Sequence, residues 1–348
     1  MRPRFHLHPK NVVDVVLALT LALGVAGCGD DTTTASGTSG TPTAEPLVIA
    51  YSAWPGHFPL RVAEEKGFFE KAGANVRVRY FQDYLSTLDA VNTGKVDANG
   101  QSLNDTVLSV STGAKLKVVV NTDFSNGADA IIADGSIPDV AALKGKKVAA
   151  EVGLTPQFLL NQGLASAGLA QGDLTFRGVA TDAAAAGFAS GQFDAVAVFA
   201  PYTLEALKRP GAKVLFDSAD LRGAIPDHIV FNANTYAERP DDIQKFVNAW
   251  YATVAWIREN PVEARAIMAK QAGLSVDDYA EIEKGVDILD PAEALNIFTD
   301  SAKTTSLPNT ARKADAFLQE AELTKNAADL TGLFAPEFTR AYVDGVGK

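Results

Sequence analysis

Cysteine and histidine are both scarce in this sequence. Among its 348 residues, Cys28 is the single cysteine, and there are four histidines. One thiol cannot form an internal disulfide or a multi-cysteine zinc site, which excludes disulfide scaffolds and cysteine-based metal centres. His6 and His8 lie at the extreme N-terminus. A zinc enzyme built on His57 and His228 would need carboxylate ligands to complete its site, so we expect no metal.

Positive charge is also in short supply. Asp and Glu number 42 against 31 Lys and Arg, which gives a net charge of −11, and no segment is rich in basic residues. Since duplex-binding proteins need a basic face to displace counterions, nucleic acid is not an expected partner. The contents of 47% hydrophobic and 21% charged residues are ordinary for a globular protein. The length suggests two domains, or one domain divided into lobes.

The N-terminal residues 1–27 have the pattern of a lipoprotein signal peptide. A few basic residues precede an apolar run over residues 15–27. That run is shorter than the ~18–20 residues that a membrane span needs, and small residues follow it as they do at a cleavage site. We therefore expect this segment to be removed and the rest of the chain to lie outside the cytoplasm.

The apolar run ends at Cys28 in the sequence Leu-Gly-Val-Ala-Gly-Cys, which resembles a bacterial lipobox. In a lipobox the cysteine is lipidated and becomes the first residue of the mature protein. The alternative is a core cysteine beside an ordinary signal peptide. Residues 29–46 contain no large apolar residue and are rich in Thr, Gly, Ser and Pro, as in a flexible linker. We expect residues 28–46 to be a lipidated cysteine and a tether on the bacterial cell membrane.

From Leu47 onward, strand and helix patterns alternate. Short apolar strands separated by helices of 10–15 residues predict an α/β fold of parallel-sheet lobes with helices on both faces. Two β-rich stretches are interpreted as the crossings between the lobes, 128–133 and 227–232. The predicted lobe 1 is 47–133 plus 226–348, and the predicted lobe 2 is 134–225. The other predicted strands are 47–51, 76–81, 96–100, 116–121, 147–151, 174–177, 193–199 and 213–216.

After Asn232 the composition is wholly helical. The predicted helix Asp241–Glu259 is bracketed by prolines and carries large apolar residues at helical spacing. Such a stripe predicts a core-facing helix rather than a ligand site.

Several motifs together resemble a known family. Ala53-Trp54-Pro55-Gly56 is followed by AEEKGFFEKAG (63–73), GKVDA (94–98), LKGKKVA (143–149), GQFDA (191–195) and FAP (199–201). In this order and after a lipobox, they resemble the nitrate/sulfonate/taurine-type solute-binding proteins of ABC importers, to which thiamine-pyrimidine synthases are also similar. The resemblance covers residues 47–260 and, more loosely, the helical C-terminal tail.

The resemblance implies a type II periplasmic-binding-protein fold, whose two lobes are joined by two crossover strands and close on a small solute. It further implies a monomer whose partners are an ABC permease and its ATPase. DFSNGADA at 123–130 is similar to a branch found beside urea-carboxylase-like genes, thought to handle small nitrogen compounds.

The loops that follow the predicted strands bear on the charge of the solute, because ligands bind at the carboxyl ends of strands in open α/β sheets. These loops contain no Lys or Arg but six acidic residues. Carboxylates and aromatic faces favour a small nitrogenous cation or neutral molecule, such as a guanidine, amine, amidine or aminopyrimidine. The candidate ligand-binding residues are Trp54, Asp83, Tyr84, Gln101, Asn104, Asp123, Ser125, Glu151, Thr155 and Phe199.

Other roles remain open for some of these loops. Asp105 and Asp182 precede or begin helices and could be caps, while Asp129 could tie down a crossing. Thr155-Pro156 is a good helix start, with the threonine as the cap. Its free N–H groups could hold an oxyanion, which leaves taurine, an alkanesulfonate or nitrate as the alternative solute.

Two further classes are considered. Thiamine-pyrimidine synthases carry a cysteine-rich motif and a cofactor-binding lysine. This sequence has no cysteine after Cys28 and no lysine in the predicted loops. We therefore expect no enzymatic activity, no catalytic residues and no cofactor. A receptor lobe that signals to a membrane protein other than a permease is the remaining alternative.

Overall fold

The structure is a computed structural model that describes residues 45–346. The predicted signal peptide, Cys28 and most of the predicted tether lie outside these residues. By their contacts, these residues belong to one compact unit. Among the described residues, no helix is both long enough and apolar enough to cross a membrane.

Eleven strands of the described residues form two sheets. The strands are β1 Leu47–Tyr51, β2 Val76–Tyr80, β3 Ala98–Ser102, β4 Leu116–Ser125, β5 Asp129–Ala133, β6 Lys147–Ala150, β7 Thr175–Gly178, β8 Ala195–Phe199, β9 Lys213–Asp217, β10 Pro226–Asn232 and β11 Val286–Ile288. The six-stranded sheet has the order β11-β4-β10-β3-β1-β2, and the five-stranded sheet has the order β7-β6-β8-β5-β9. This is the predicted two-lobed α/β architecture.

Fourteen helices surround these sheets within the described residues. They are α1 Pro59–Glu65, α2 Phe68–Lys71, α3 Tyr84–Asn92, α4 Leu103–Ser111, α5 Thr155–Ser166, α6 Thr181–Ala189, α7 Tyr202–Leu207, α8 Ala233–Glu238, α9 Pro240–Glu259, α10 Pro261–Ala272, α11 Val276–Glu283, α12 Pro291–Asn296, α13 Leu307–Glu320 and α14 Glu337–Val346. Four short 3-10 turns complete the regular structure: Pro55–His57, Ala141–Leu143, Gln171–Asp173 and Ser218–Leu221.

Both sheets are mixed, which corrects the prediction of parallel sheets. β1 is parallel to β2 and β3, but β10 is antiparallel to β3 and β4. In the second sheet β6 is parallel to β7 and β8, whereas β5 is antiparallel to β8 and β9. The reason lies in the connections. β5 and β10 each enter their sheet from the other sheet, at the edge where the parallel strands end, and so run in the opposite direction.

The stretches predicted as crossings are therefore the strands that follow the connectors. β5 belongs to the five-stranded sheet, although the predicted boundary at residue 133 places it in lobe 1. The connectors themselves, the first taken to include the last residue of β4, are residues 125–128 and 218–225. They are bonded to each other, because the Ser218 hydroxyl lies 2.7 Å from the Ser125 hydroxyl and accepts a hydrogen bond from the Gly127 N–H at 2.6 Å. The other predicted lobe boundaries, at residues 225 and 226, stay a prediction.

The prediction that the chain after Asn232 is wholly helical is wrong, because β11 pairs with the end of β4. Three residues give no strand pattern of their own, and the pairing depends on the unusually long β4. The predicted helix 241–259 matches α9, whose buried residues include Ile243, Phe246, Trp250 and Val254. This helix packs against α1 and α2 and forms part of the core of the first lobe.

Candidate functional site

A cavity lies between the two sheets. The side of the six-stranded sheet contributes Ser52, Trp54, His57, Tyr84, Ser102, Asp105, Ile225 and Asp227, and the side of the five-stranded sheet contributes Asp129, Thr155 and Phe199. The parallel strands end at this edge, as the sequence argument expects. Antiparallel β5 and β10 begin at the same edge, which explains why Asp129, the first residue of β5, and Asp227, the second residue of β10, are also there.

A second cavity adjoins the first. It shares Ser52, Tyr84 and Phe199 with its neighbour. Its other lining residues are Ala53, Gln82, Asp83, Glu151, Ala180, Thr181, Asp182 and Tyr202. Neither lining contains Lys or Arg. The predicted scarcity of positive charge at the mouth therefore holds for these two adjoining cavities.

Aromatic rings from both lobes meet at Phe199, the last residue of β8. Its ring centroid lies 6.3 Å from Trp54 and 5.9 Å from Tyr84, both of the first lobe, and each pair is edge-to-face. Tyr202 of α7 contacts the same ring at 5.4 Å. Such contacts add to the attraction between the lobes by roughly 0.5–1.5 kcal/mol per pair beyond area burial. The predicted residues Trp54, Tyr84 and Phe199 are thus brought together.

Asp123 holds Trp54 in place. The Trp54 indole N–H donates to Asp123 Oδ1 at 2.9 Å, and the carboxyl is buried. The 3-10 turn after Trp54 lies directly over this carboxyl, so that a Cβ on Gly56 would be 2.0 Å from Asp123 Oδ2. Burial raises the pKa of Asp123 to about 7. Asp123, predicted as a ligand residue, is not among the cavity lining and acts by positioning the indole.

Asp105 bridges the lobes. Its carboxylate accepts hydrogen bonds from the Tyr84 hydroxyl at 2.5 Å and from the Thr155 N–H at 3.0 Å. The N-cap of α4 is Ser102, whose hydroxyl accepts from the Asp105 N–H, so the interpretation of Asp105 as a cap is wrong. The Ser102 and Thr155 hydroxyls are also 2.6 Å apart, across the same interface. Burial raises the pKa of Asp105, although these hydrogen bonds oppose the shift.

The start of α5 is consequently already occupied. Thr155 is the first helical residue rather than the cap, which is Leu154. The Thr155 N–H, predicted to be free for an oxyanion, donates to the Asp105 carboxylate instead. The Gly153 N–H donates to the Gln157 side chain at 2.6 Å. These two N–H groups at the start of α5 therefore already have acceptors within the protein.

Asp227 and His57 form a buried pair on the cavity wall. Asp227 is 5% exposed and His57 is 1% exposed. The His57 Nε2 and Asp227 Oδ1 atoms are 3.7 Å apart, beyond hydrogen-bond distance. Burial lowers the pKa of His57 to about 3, so the imidazole is neutral. Burial, together with the nearby Asp123 and Asp129, raises the pKa of Asp227 well above its usual range.

The other predicted ligand residues have local partners. Asp83 caps α3 by accepting from the Ser86 N–H, and Glu151 accepts from the Thr181 hydroxyl at 2.7 Å at the start of α6. Both line the second cavity. Gln101, Asn104 and Ser125 line neither cavity. Gln101 bonds to Asn99 and Thr106, Asn104 contacts Asp105 at 3.5 Å, and Ser125 joins the connectors.

Asp182, the other suggested cap, lies in the first turn of α6 rather than at its N-cap, which is Ala180. Asp129 accords with the suggested hinge role in one respect, since its N–H donates to the Ser125 hydroxyl of the connector. Its side chain nevertheless lines the first cavity.

Sequence reasoning missed Ser52, Ser102, Ile225 and Asp227 as cavity residues and considered His57 only as a metal ligand. One signal for Asp227 was present, because Asp227 and His228 are charged or polar residues at the start of an otherwise apolar strand. Among the described residues, no group of three His, Cys, Asp or Glu is arranged to hold a metal ion.

Comparisons with known proteins agree with this architecture. The "Putative aliphatic sulfonates-binding protein" of Bacillus subtilis (strain 168) is 28% identical over 81% of this chain and 83% of its own length. The solved alkanesulfonate-binding protein SsuA from Xanthomonas axonopodis pv. citri bound to MOPS has a TM-score of 0.71 at 19% identity, over 84% of this chain and 99% of that one. At that identity the likeness shows the fold.

A shorter match connects the chain with an enzyme. The 4-amino-5-hydroxymethyl-2-methylpyrimidine phosphate synthase of Uromyces fabae is 27% identical over 29% of this chain and 30% of its own length. The NMT1/THI5-like family model matches residues 54–264, which is more than half of the chain and includes most cavity residues. The expected family relationship is thus confirmed, and the chain belongs to the NMT1/THI5-like family.

Proposed function

We propose that this chain is the solute-binding protein of an ABC importer, acting outside the cytoplasm and delivering a small solute to a membrane permease. The observation that carries the proposal is the cavity between the two sheets, which is lined from both lobes. The name of the Bacillus subtilis relative supports a binding role over an enzymatic one.

The geometry suggests how binding and closure are coupled. A solute in this cavity contacts residues of both lobes, so it binds the closed arrangement more tightly than an open one. The closed arrangement has its own contacts across the interface, including Asp105 with Thr155 and Phe199 with Trp54. The solute then adds the differential affinity that keeps the lobes together, and the permease recognises the closed form.

Two classes of solute are candidates. The names of the relatives support an aliphatic sulfonate, the alternative of the sequence argument, better than the nitrogen-containing solute predicted first. Taurine and nitrate belong to the same anionic alternative. A nitrogenous cation or neutral molecule has its support in the cavity itself, which contains carboxyl groups and neither Lys nor Arg.

Tryptophan fluorescence tests the binding role. Trp54 lines the cavity, whereas Trp250 is fully buried in α9 and Trp256 lies on the same helix. We expect a saturable change in the fluorescence of the mature chain carrying Cys28→Ser with at least one solute of a panel, and loss of that change in Trp54→Phe. The panel contains taurine, methanesulfonate, nitrate, guanidinium, urea and an aminopyrimidine.

Small-angle X-ray scattering provides the second measurement. The solute that changes the fluorescence is expected to reduce the radius of gyration, because it favours the closed arrangement. A panel in which no solute changes the fluorescence or the radius of gyration would contradict the proposed function.

We also propose that Cys28 carries a lipid and that the mature protein is a monomer anchored to the bacterial membrane. Incorporation of radiolabelled palmitate into the full chain, and its absence from Cys28→Ser, would support the anchor. Light scattering of the Cys28→Ser protein measures its mass. No catalysis is proposed, since neither described cavity contains a cysteine or lysine.

A further inference from the structure

We propose that the cavity recognises a small organic cation bearing several N–H groups, which Asp129 and Asp227 accept from opposite lobes. The inference rests on the proposed function and specifies its solute class. It opposes the sulfonate that the names of the relatives suggest.

The first step is the charge of the cavity. Its lining holds three carboxyl groups, those of Asp105, Asp129 and Asp227, and no Lys or Arg. Arg222, the one basic residue of the connector to β10, is 76% exposed in its side chain and lies 3.7 Å from Asp287. No described positive charge therefore neutralises the lining, and a cationic solute would supply the missing charge.

The acceptor groups of the cavity differ in whether the protein supplies them with hydrogen-bond donors. Asp105 is satisfied by Tyr84 and Thr155. The Asp129 carboxyl interacts with the Ser125 hydroxyl and keeps further acceptor capacity. The Asp227 carboxylate, by contrast, accepts no hydrogen bond from the described residues and has only the imidazole of His57 at 3.7 Å. Both ring nitrogens of His57 and the hydroxyl of Ser52 are buried in the cavity wall without a partner among residues 45–346. Buried polar groups are seldom left in this state, which indicates that a ligand completes them.

The third step concerns the chemistry that fits these groups. Burial favours the protonated form of the Asp129 and Asp227 carboxyls, so a bound cation has to hold them ionised. Once ionised they only accept hydrogen bonds, while a neutral imidazole accepts at one nitrogen and a hydroxyl accepts at its oxygen. A solute with several N–H groups can satisfy them together, and a positive charge makes the bonds to the carboxylates stronger. The rings of Trp54 and Phe199 provide walls suited to a cation or to the flat face of a planar group.

The lining of the first cavity contains no Lys or Arg to bind a sulfonate. A sulfonate needs donors, and backbone N–H groups at a helix start are the usual source where basic residues are absent. The Thr155 N–H at the start of α5 already donates to the Asp105 carboxylate, so this helix start, which lines the cavity, presents a carboxylate instead. A sulfonate would therefore meet three carboxyl groups without a charged donor.

The position of the two acceptors links recognition with closure. Asp129 is the first residue of β5 in one sheet, and Asp227 is the second residue of β10 in the other. A cation held by both carboxylates connects the lobes directly. Removal of either carboxylate is therefore expected to weaken both binding and closure.

The experiment compares four probes of similar size in isothermal titration of the full mature chain carrying Cys28→Ser. Guanidinium has charge and N–H groups, urea has N–H groups without charge, tetramethylammonium has charge without N–H groups, and methanesulfonate is an anion. We expect guanidinium to bind most tightly and methanesulfonate not to bind. Tighter binding of methanesulfonate overturns the inference while supporting the proposed function. Absence of binding by all four probes overturns the inference, whereas the proposed function is then decided by the wider solute panel described above.

Variants then test the named residues. Asp129→Asn and Asp227→Asn are each expected to weaken guanidinium binding about 30-fold or more, as loss of one partner of a buried charge pair does. Urea binding is expected to change far less, because it depends on hydrogen bonding alone. Asp89→Asn makes the same change on the exposed surface of α3 and is the control. Equal weakening of guanidinium and urea in both folded cavity variants, judged by their circular dichroism, would overturn the inference.

Discussion

Replacing Asp129 with asparagine is expected to change how the stability of the protein depends on pH. Burial raises the pKa of the Asp129 carboxyl to about 7, against 3.8 for an ordinary aspartate. Between these values the folded state holds a proton that the unfolded state has released. The resulting stabilisation is complete below pH 3.8 and is lost as the pH rises through 7. Asparagine has no such proton to lose.

The size of the effect follows from the two pKa values. Each pH unit over which only the folded state is protonated changes the free energy of unfolding by about 1.4 kcal/mol. Between pH 5 and pH 8 the carboxyl loses about 3 kcal/mol of stabilisation by this linkage. Relative to the wild type, Asp129→Asn should therefore gain about 3 kcal/mol over that interval, which corresponds to roughly 4 °C in Tm for a protein of this size.

Differential scanning calorimetry at pH 5, 6, 7 and 8 measures this difference. Urea and guanidinium are unsuitable as denaturants because they are also candidate ligands. Asp89→Asn is again the matched control, and its Tm relative to the wild type should be the same at all four pH values. A Tm difference between Asp129→Asn and the wild type that stays constant from pH 5 to pH 8 would refute the reasoning, because it would mean that this carboxyl titrates normally in the folded protein.

Three further predictions concern binding and packing. The affinity for guanidinium should fall at least tenfold between pH 8 and pH 6, because the Asp129 carboxyl, whose pKa is about 7, and the Asp227 carboxyl, whose pKa is raised well above its usual range, must both be ionised to hold a cation; titration calorimetry that shows equal or tighter binding at pH 6 would contradict this expectation. Gly56→Ala should lower stability by about 1–3 kcal/mol through overlap with a buried carboxyl, whereas Gly172→Ala, where a Cβ meets nothing within 4 Å, should not. Ser218→Ala should lower the free energy of unfolding by about 1–3 kcal/mol, because the Gly127 N–H loses its acceptor. Thermal unfolding of Gly56→Ala or of Ser218→Ala that is unchanged from the wild type would contradict the expectation for that variant.

Much of the fold could be predicted because local patterns and tertiary structure agree. β1 and α9 occur almost where the sequence places them, since an apolar run and an apolar stripe between prolines are strong local signals. The strand direction could not be obtained in the same way. β5 and β10 have the same local pattern as their neighbours, and their antiparallel orientation depends on the two connectors.

The candidate site was predicted in part for a related reason. Trp54, Tyr84, Thr155 and Phe199 follow or end parallel strands and were found by searching those loops. The same search could not find Asp227, which lies at the beginning of an antiparallel strand at the same edge.

Partners across the lobes were also invisible in the sequence. A helix start with Thr and Pro indicates free N–H groups, but the Asp105 carboxylate that occupies one of them comes from 50 residues earlier in the chain. Side-chain pairing at that separation depends on how the lobes meet, which no local pattern reports.

The hydrogen bonds of Ser218 have a mechanical consequence. The two connectors are pinned together by its hydroxyl, which contacts the Ser125 hydroxyl and the Gly127 N–H of the other connector. Two separate linkers would let one rigid body twist as well as swing, whereas a pinned pair leaves a single axis of rotation. The opening angle is then one coordinate, and a single labelled pair of sites, one in each sheet, is enough to follow it over time.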